Sequence, residues 1–220
     1  MDPITVSRHA IAARSAQSPT GYTPVAILLH WAMTVLIAAM VGLGWYMTSI
    51  EEQPGSQRYF ELHMSIGLIV AALLLYRVFW RLTHRPPALP ATMPAWQRAA
   101  ARATHGFLYA AMALMPITGF IGASLATSGV VFFGHPLPRW LMADHDAAEQ
   151  LFSIHSLTAT LLVAAVALHI LAGLKHLMLD KDGVFQRMWI ARPGLRLPSR
   201  SSIDEAAIRH SAPADTNEGR

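Results

Sequence analysis

The sequence predicts an all-α protein, an integral membrane four-helix bundle with its N-terminus and C-terminus both cytoplasmic. Three observations predict this class. Hydrophobic residues make up 53% of the 220-residue chain and charged residues 14%, a composition too apolar for an ordinary soluble domain. Four apolar stretches are long enough to cross a bilayer, for which about 20 residues suffice. Basic residues gather at the same side of all four stretches.

The first span is predicted over residues 25–47. Thr23 precedes Pro24, and a hydroxyl followed by a proline at the first helical position is typical of a helix start. Residues 1–21 contain prolines and scattered polar residues but no apolar core of the signal-peptide kind. They are therefore predicted to form a flexible tail, and the first span is predicted to stay uncleaved.

The other spans are predicted over residues 59–82, 100–126 and 149–179. Prolines crowd residues 84–94, which predicts a surface loop. A basic amphipathic turn from Ala95 leads into the third span, and Pro116 within that span is expected to kink it. Residues 130–133 are expected to dip into the membrane interface. The transmembrane domain is thus predicted over residues 22–190, and a disordered tail over residues 191–220.

Basic residues predict the orientation. Of the 17 lysines and arginines, only Arg58 and Arg139 fall in the loops after the first and third spans. The positive-inside rule places these loops in the periplasm and both termini in the cytoplasm. This orientation also accounts for the net charge of +4, so the predicted surroundings are membrane lipid and no nucleic-acid partner is predicted.

Histidines carry the candidate chemistry. The chain has no cysteine, which excludes iron–sulfur clusters, thiolate metal sites and covalently attached c-type haem. The last span holds His155, His169 and His176, at steps of fourteen and seven residues that place all three on one helical stripe. His155 and His169 lie roughly 21 Å apart along the axis. Because a histidine in hydrocarbon is costly and usually functional, the pair predicts two stacked haem sites.

Depth pairs the histidines. Given the predicted orientation, only His63 and His155 lie near the periplasmic face, so they form one axial pair. The cytoplasmic level offers His30, His105 and His169, with His176 further out. His30 is paired with His169, which shares the face of His155. Two imidazoles fill both axial positions of a haem iron, which suits it to electron transfer.

Other residues near the cytoplasmic level keep two readings. His105 is either a hydrogen-bond partner of a haem propionate or an alternative iron ligand. Arg77 and Arg81 are either positive-inside anchors or partners of a propionate carboxylate. His176 is either an interfacial residue or a quinone contact. No catalytic residue is predicted beyond the haems themselves.

Four stretches carry a resemblance to a known family: LLHW (28–31), LHMSIG (62–67), HGFLYAAMALMPITG (105–119) and IHSLTA with ALHILAGLKH (154–176). In this order they resemble the prokaryotic cytochrome b561 family over about residues 22–188. The resemblance implies a four-helix inner-membrane cytochrome b domain with two haem b groups. It implies His30 and His169 on the inner haem iron, and His63 and His155 on the outer one.

The resemblance also implies electron exchange with ubiquinone, with His176 near the quinone. One branch of the family takes electrons from periplasmic superoxide. The leading hypothesis is therefore a quinone-linked oxidoreductase of the bacterial inner membrane, which moves electrons from superoxide or a redox protein at the periplasmic face to ubiquinone. The alternative is an electron-carrying membrane subunit that docks a larger dehydrogenase or hydrogenase. A histidine-lined transporter would need a polar path, and the spans contain almost no acid to build one.

Overall fold

The computed structural model describes residues 21–90 and 92–189. Its four long helices are α1 (Pro24–Ser49), α2 (Gln57–Thr83), α3 (Ala95–Leu125) and α4 (His145–Lys175). Each of them is long and apolar enough to cross a membrane, so the predicted all-α four-helix membrane architecture is confirmed. Of the predicted tails, residues 1–20 and 191–220 lie outside the described residues.

The helix ends follow their polar caps. At the start of α1, Thr23 Oγ1 accepts a hydrogen bond from Ala26 N at 3.3 Å, as predicted. α4 begins at His145 instead of residue 149, because the Asp144 carboxylate accepts a hydrogen bond from Ala147 N at 3.0 Å and caps the helix. The apolar pattern does not reveal this first polar turn.

The helices are arranged as two close pairs. α1 packs mainly on α2 and α3 mainly on α4, whereas α2 and α3 contact each other over a shorter length. The main buried cluster joins α3 to α4 through Leu108, Ala111 and Leu162. We call the end of the bundle where α1 begins and α4 ends the terminal end.

A small hairpin lies at the opposite end, which we call the hairpin end. Strands β1 (Val131–Phe132) and β2 (His135–Pro136) pair antiparallel. The fully buried Ser65 of α2 accepts a hydrogen bond from Phe133 N at 2.8 Å and donates one to the Glu61 carbonyl at 2.7 Å. Val131 is buried and packs against α2, while Phe133 is exposed. Part of the segment expected at the interface therefore packs on protein.

The chain after α4 folds back across the terminal end. A π-helical turn (His176–Asp180) and a 3-10 turn (Phe185–Met188) follow α4. Trp31 Nε1 donates a hydrogen bond to the Met188 carbonyl at 2.8 Å, and Arg187 Nη1 donates one to the Ala88 carbonyl at 2.6 Å. This segment thereby ties α4 to α1 and to the loop between α2 and α3.

Candidate functional site

Two pairs of histidines face each other inside the bundle. At the hairpin end, the rings of His63 on α2 and His155 on α4 have centroids 6.2 Å apart at an interplanar angle of 72°. At the terminal end, the rings of His30 on α1 and His169 on α4 have centroids 6.2 Å apart at 74°. All four rings are partly buried. The pairing expected from depth is therefore the pairing that the fold brings together.

The separation of the rings fits one metal ion between them. An imidazole nitrogen binds a metal at about 2 Å. A five-membered ring with bonds of about 1.3 Å has its centre roughly 1 Å from each atom. Two imidazoles on opposite sides of one ion therefore have centroids roughly 6 Å apart. Both pairs meet this requirement, so the residues present fit the axial positions of two haem irons.

The same fourteen-residue step occurs inside every helix. It joins His30 to Gly44 on α1, His63 to Arg77 on α2, His105 to Gly119 on α3, and His155 to His169 on α4. The eight residues form two layers of four. The hairpin-end layer contains Gly44, His63, Gly119 and His155. The terminal-end layer contains His30, Arg77, His105 and His169.

Two glycines give the hairpin-end histidines their space. A Cβ added to Gly44 would lie 3.4 Å from His63 Cε1, and one added to Gly119 would lie 3.1 Å from His155 Cε1. The second distance is tighter than ordinary van der Waals contact. Neither glycine was predicted from the sequence as a site residue, although each follows a histidine, His30 or His105, by fourteen residues.

Hydrogen bonds orient the imidazole of His155, whereas Nδ1 of His63 has no hydrogen-bond partner among the described residues. His155 Nδ1 lies 3.0 Å from the Met115 carbonyl and 3.2 Å from Thr118 Oγ1. Donation to that carbonyl puts the proton on Nδ1 and leaves the lone pair on Nε2 for a metal. Nδ1 of His63 is buried without a hydrogen-bond partner among the described residues. A buried polar atom of this kind is uncommon, which is consistent with a ligand outside the polypeptide.

The terminal-end layer is more polar. Arg77 Nη2 lies 3.3 Å from His30 Nδ1, and Arg77 Nε donates a hydrogen bond to the Tyr109 hydroxyl at 3.3 Å. Because arginine only donates, this contact requires a lone pair on His30 Nδ1 and a proton on Nε2. Arg77 Nη1 is buried without a partner among the described residues. The guanidinium carbon of Arg81 lies 5.5 Å from the centroid of the Tyr109 ring, within the range of a cation–π contact.

His105 lies in the terminal-end layer and competes with His30 for His169. Its ring centroid is 5.3 Å from that of His169, closer than the roughly 6 Å that one metal ion between two imidazoles requires. His105 is exposed, and its Nδ1 lies 2.6 Å from the Ala101 carbonyl. The geometry therefore favours His30 as the partner of His169 and leaves His105 beside the pair.

His176 lies outside both layers, at the first position of the π-helical turn that directly follows α4. Its Nδ1 lies 2.8 Å from Asp182 Oδ2 and 3.1 Å from Asp180 Oδ2. Donation to a carboxylate fixes the proton on Nδ1 and leaves Nε2 as the basic nitrogen. The structure thus supplies an oriented imidazole at the terminal end, on the same α4 stripe as His169.

Comparison with known proteins identifies relatives over the described region. The family described as prokaryotic cytochrome b561 matches residues 21–190. The chain is 30% identical over 174 residues to cytochrome b561 homolog 2 of Escherichia coli (strain K12), covering 78% of this chain and 92% of the relative. It is 27% identical over 179 residues to the probable superoxide oxidase CybB of Yersinia pestis, covering 79% of this chain and 98% of that protein. It is also similar to cytochrome b561 homolog 1 of the same E. coli strain, at 25% identity over 174 residues, covering 76% and 96%.

Proposed function

Because the chain belongs to the prokaryotic cytochrome b561 family of membrane electron-transfer proteins, we propose that it is a dihaem oxidoreductase that passes electrons across the bacterial inner membrane to ubiquinone. Two histidine pairs carry this proposal. In each pair the imidazole rings face each other with centroids 6.2 Å apart. They lie roughly 21 Å apart along α4. Two sites at this spacing span much of a hydrocarbon core of about 30 Å.

His63 and His155 would hold the haem iron at the hairpin end, and His30 and His169 the one at the terminal end. The bound haems supply one-electron chemistry, and two axial imidazoles leave no open iron position for oxygen. His155 keeps its proton on Nδ1 through the Met115 carbonyl. Nε2 thereby keeps the lone pair that a haem iron would need.

Arg77 would change partner when His30 binds iron through Nε2. Ligation needs the lone pair on Nε2, so the proton must lie on Nδ1, where Arg77 can no longer donate. Arg77 Nη2 would then be free to donate to an anionic group, and a haem propionate would supply one. His105 is the second propionate contact that we propose, and Arg81 keeps its reading as a positive-inside anchor.

Ubiquinone would accept the electrons at the terminal end beside His176. Reduction of one quinone takes two electrons and two protons and gives one quinol. Asp182 holds the His176 proton on Nδ1, so Nε2 can carry a proton to a quinone oxygen. Asp180 is exposed and Asp182 is half-buried, so the two carboxylates can pass protons from water to the imidazole.

Superoxide is the electron donor that we propose, at the hairpin end. Two superoxide anions each lose one electron and become two molecules of oxygen. These two electrons are the number that the reduction of one quinone requires. Of the basic residues in the described part of the chain, Arg58 and Arg139 are those at this end. Arg58 Nη2 donates a hydrogen bond to the Tyr59 hydroxyl at 2.8 Å, and Arg139 donates one to the Thr127 carbonyl. Both guanidiniums are thus held in place and can attract an anion.

Purified haem-loaded protein is expected to form ubiquinol when superoxide is generated, at a rate that falls as salt is added. Arg58→Gln should slow haem reduction roughly fivefold at low ionic strength and less at high ionic strength, because it removes one steering charge. Arg102→Gln on α3 is the matched control and should change nothing. His176→Ala should raise the quinone KM while superoxide still reduces the haems. Haems that superoxide does not reduce would contradict the proposed donor.

The runner-up function is that of an electron-carrying subunit that docks a larger dehydrogenase or hydrogenase. An exposed polar face at the start of α4 favours it, because Asp146, Glu149, Gln150 and Ser153 lie together on that face and would suit a basic partner surface. This reading predicts that superoxide leaves the haems oxidised. It also predicts that Glu149→Gln weakens reduction by the partner complex.

Gly119→Val is expected to lose most of the hairpin-end haem while the terminal-end haem stays. Even an added Cβ would lie 3.1 Å from His155 Cε1, so the larger side chain pushes the imidazole off the axial position. Haem per chain and the low-spin spectrum measure the effect. Gly42→Ala is the control, since a Cβ there meets nothing within 4 Å. Equal haem content in the two variants would contradict the assigned role of Gly119.

A further inference from the structure

A small basic cavity lies at the terminal end, next to the His30 and His169 pair, which its lining residue Arg77 contacts. It has a volume of about 40 Å³. Its walls come from the start of α1, the end of α2 with the loop that follows it, Tyr109 of α3 and Met188. A water needs about 10–15 Å³ of such space. The cavity is therefore large enough for a compact anionic group such as a phosphate.

The side chains that line the cavity carry positive charge and no negative charge. Arg77, Arg81 and Arg85 line it together with His84, and no carboxylate is among the lining residues. In the described part of the chain, the carboxylates at this end are Asp180 and Asp182. They form ion pairs with Lys175 and His176 instead. Three arginines in one cavity without a protein counter-ion predict an anion from outside the described residues.

The N–H groups of Arg77 and Arg81 also indicate a bound anion. Arg77 Nη1 is buried without a hydrogen-bond partner among the described residues, and a buried donor without an acceptor is destabilising. The Arg81 guanidinium carbon lies 5.5 Å from the centroid of the Tyr109 ring, and such a cation–π contact uses the charge of the guanidinium and no N–H hydrogen bond. An anionic oxygen group in the cavity would accept from both.

The walls are held in place by contacts of their own. Trp80 Nε1 donates a hydrogen bond to Thr23 Oγ1 at 2.9 Å. The ring of His84 stacks on that of Trp80, with centroids 3.8 Å apart and an interplanar angle of 5°. The walls from α1 and α2 are thus held together by side-chain contacts that form without a ligand. Binding there would cost little ordering of these side chains.

We propose that this cavity binds the phosphate of an anionic phospholipid from the leaflet at the terminal end. The cavity lies where α1 begins and α2 ends, at the boundary between the apolar spans and water. At the same level of α2, the exposed Phe79 and Leu82 give the helix an apolar surface that lipid acyl chains can cover. Basic pockets between transmembrane helices at this boundary are typical sites for anionic headgroups. Free phosphate has the same chemistry but gains nothing from this apolar surface.

Native mass spectrometry of the full-length haem-loaded protein tests the proposal. Phosphatidylglycerol should stay bound at detergent concentrations that remove phosphatidylcholine. The double variant Arg81→Gln/Arg85→Gln should weaken phosphatidylglycerol binding roughly 25-fold, from about a fivefold effect for each arginine. Arg102→Gln, an exposed arginine at the same end of the bundle that does not line the cavity, should leave binding unchanged.

The other sources of an anion give different results. Equal binding of both lipids, or equal effects of the double variant and Arg102→Gln, would overturn the proposal. Inorganic phosphate that competes fully with phosphatidylglycerol would assign the cavity to free phosphate. Loss of one haem in the double variant with unchanged lipid binding would assign it to a haem propionate. Because the readout is bound lipid, the test stands even if the proposed electron donor is wrong.

Discussion

His155→Ala is expected to leave one haem per chain and to abolish superoxide-driven formation of ubiquinol. The hairpin-end layer contains His63, His155 and two glycines. No second imidazole in that layer can therefore replace the lost ligand. His63→Ala should have the same effect, and the double variant should lose no more haem than either single variant, because all three remove one shared site.

The measurement is haem per chain from the reduced pyridine complex, together with the optical spectrum of the low-spin state. His145→Ala is the matched control on the same helix. His145 is exposed and, among the residues that the structure describes, forms its one ion pair with Glu149 at 3.3 Å, so its removal should leave both haems. Full haem content with an unchanged low-spin spectrum in His155→Ala would show that the hairpin-end pair does not bind haem. A variant that keeps its haem in a high-spin form would instead support loss of one axial ligand.

His30→Ala is expected to remove the terminal-end haem, whereas His105→Ala should keep it. The reason is geometric: the His30 and His169 rings have the 6.2 Å separation of the other pair, while the His105 and His169 rings are 5.3 Å apart. His105 lies in the same layer, so a fraction of His30→Ala chains should rebind haem through His105. The double variant His30→Ala/His105→Ala should remove that fraction.

Haem per chain and the spectrum of the remaining haem separate these outcomes. His169→Ala is the positive control, since it removes the ligand that both alternatives share. Retention of the terminal-end haem in His30→Ala together with its loss in His105→Ala would make His105 the ligand. The proposed exchange of partner at Arg77 would then be wrong as well, because it depends on ligation by His30.

Local helix geometry explains why the sequence predicted so much of this molecule. Apolar composition and span length predict four membrane helices, since the bilayer fixes how long such a helix must be. A step of fourteen residues returns to nearly the same face of any α-helix. For that reason His155 and His169 share a stripe whatever the rest of the chain does. The depth of each histidine follows from the alternating direction of the spans.

Only the tertiary structure decided which stripes face each other and at what distance. Depth alone left three histidines at the level of the terminal-end layer, and the packing of α1, α3 and α4 distinguishes 6.2 Å from 5.3 Å. The space that Gly119 leaves for His155 and the contact between Arg77 and His30 also depend on neighbouring helices. The sequence by itself determined the stripe on each helix, because spacing along one helix is local. Partners across helices were decided by side-chain packing between distant parts of the chain.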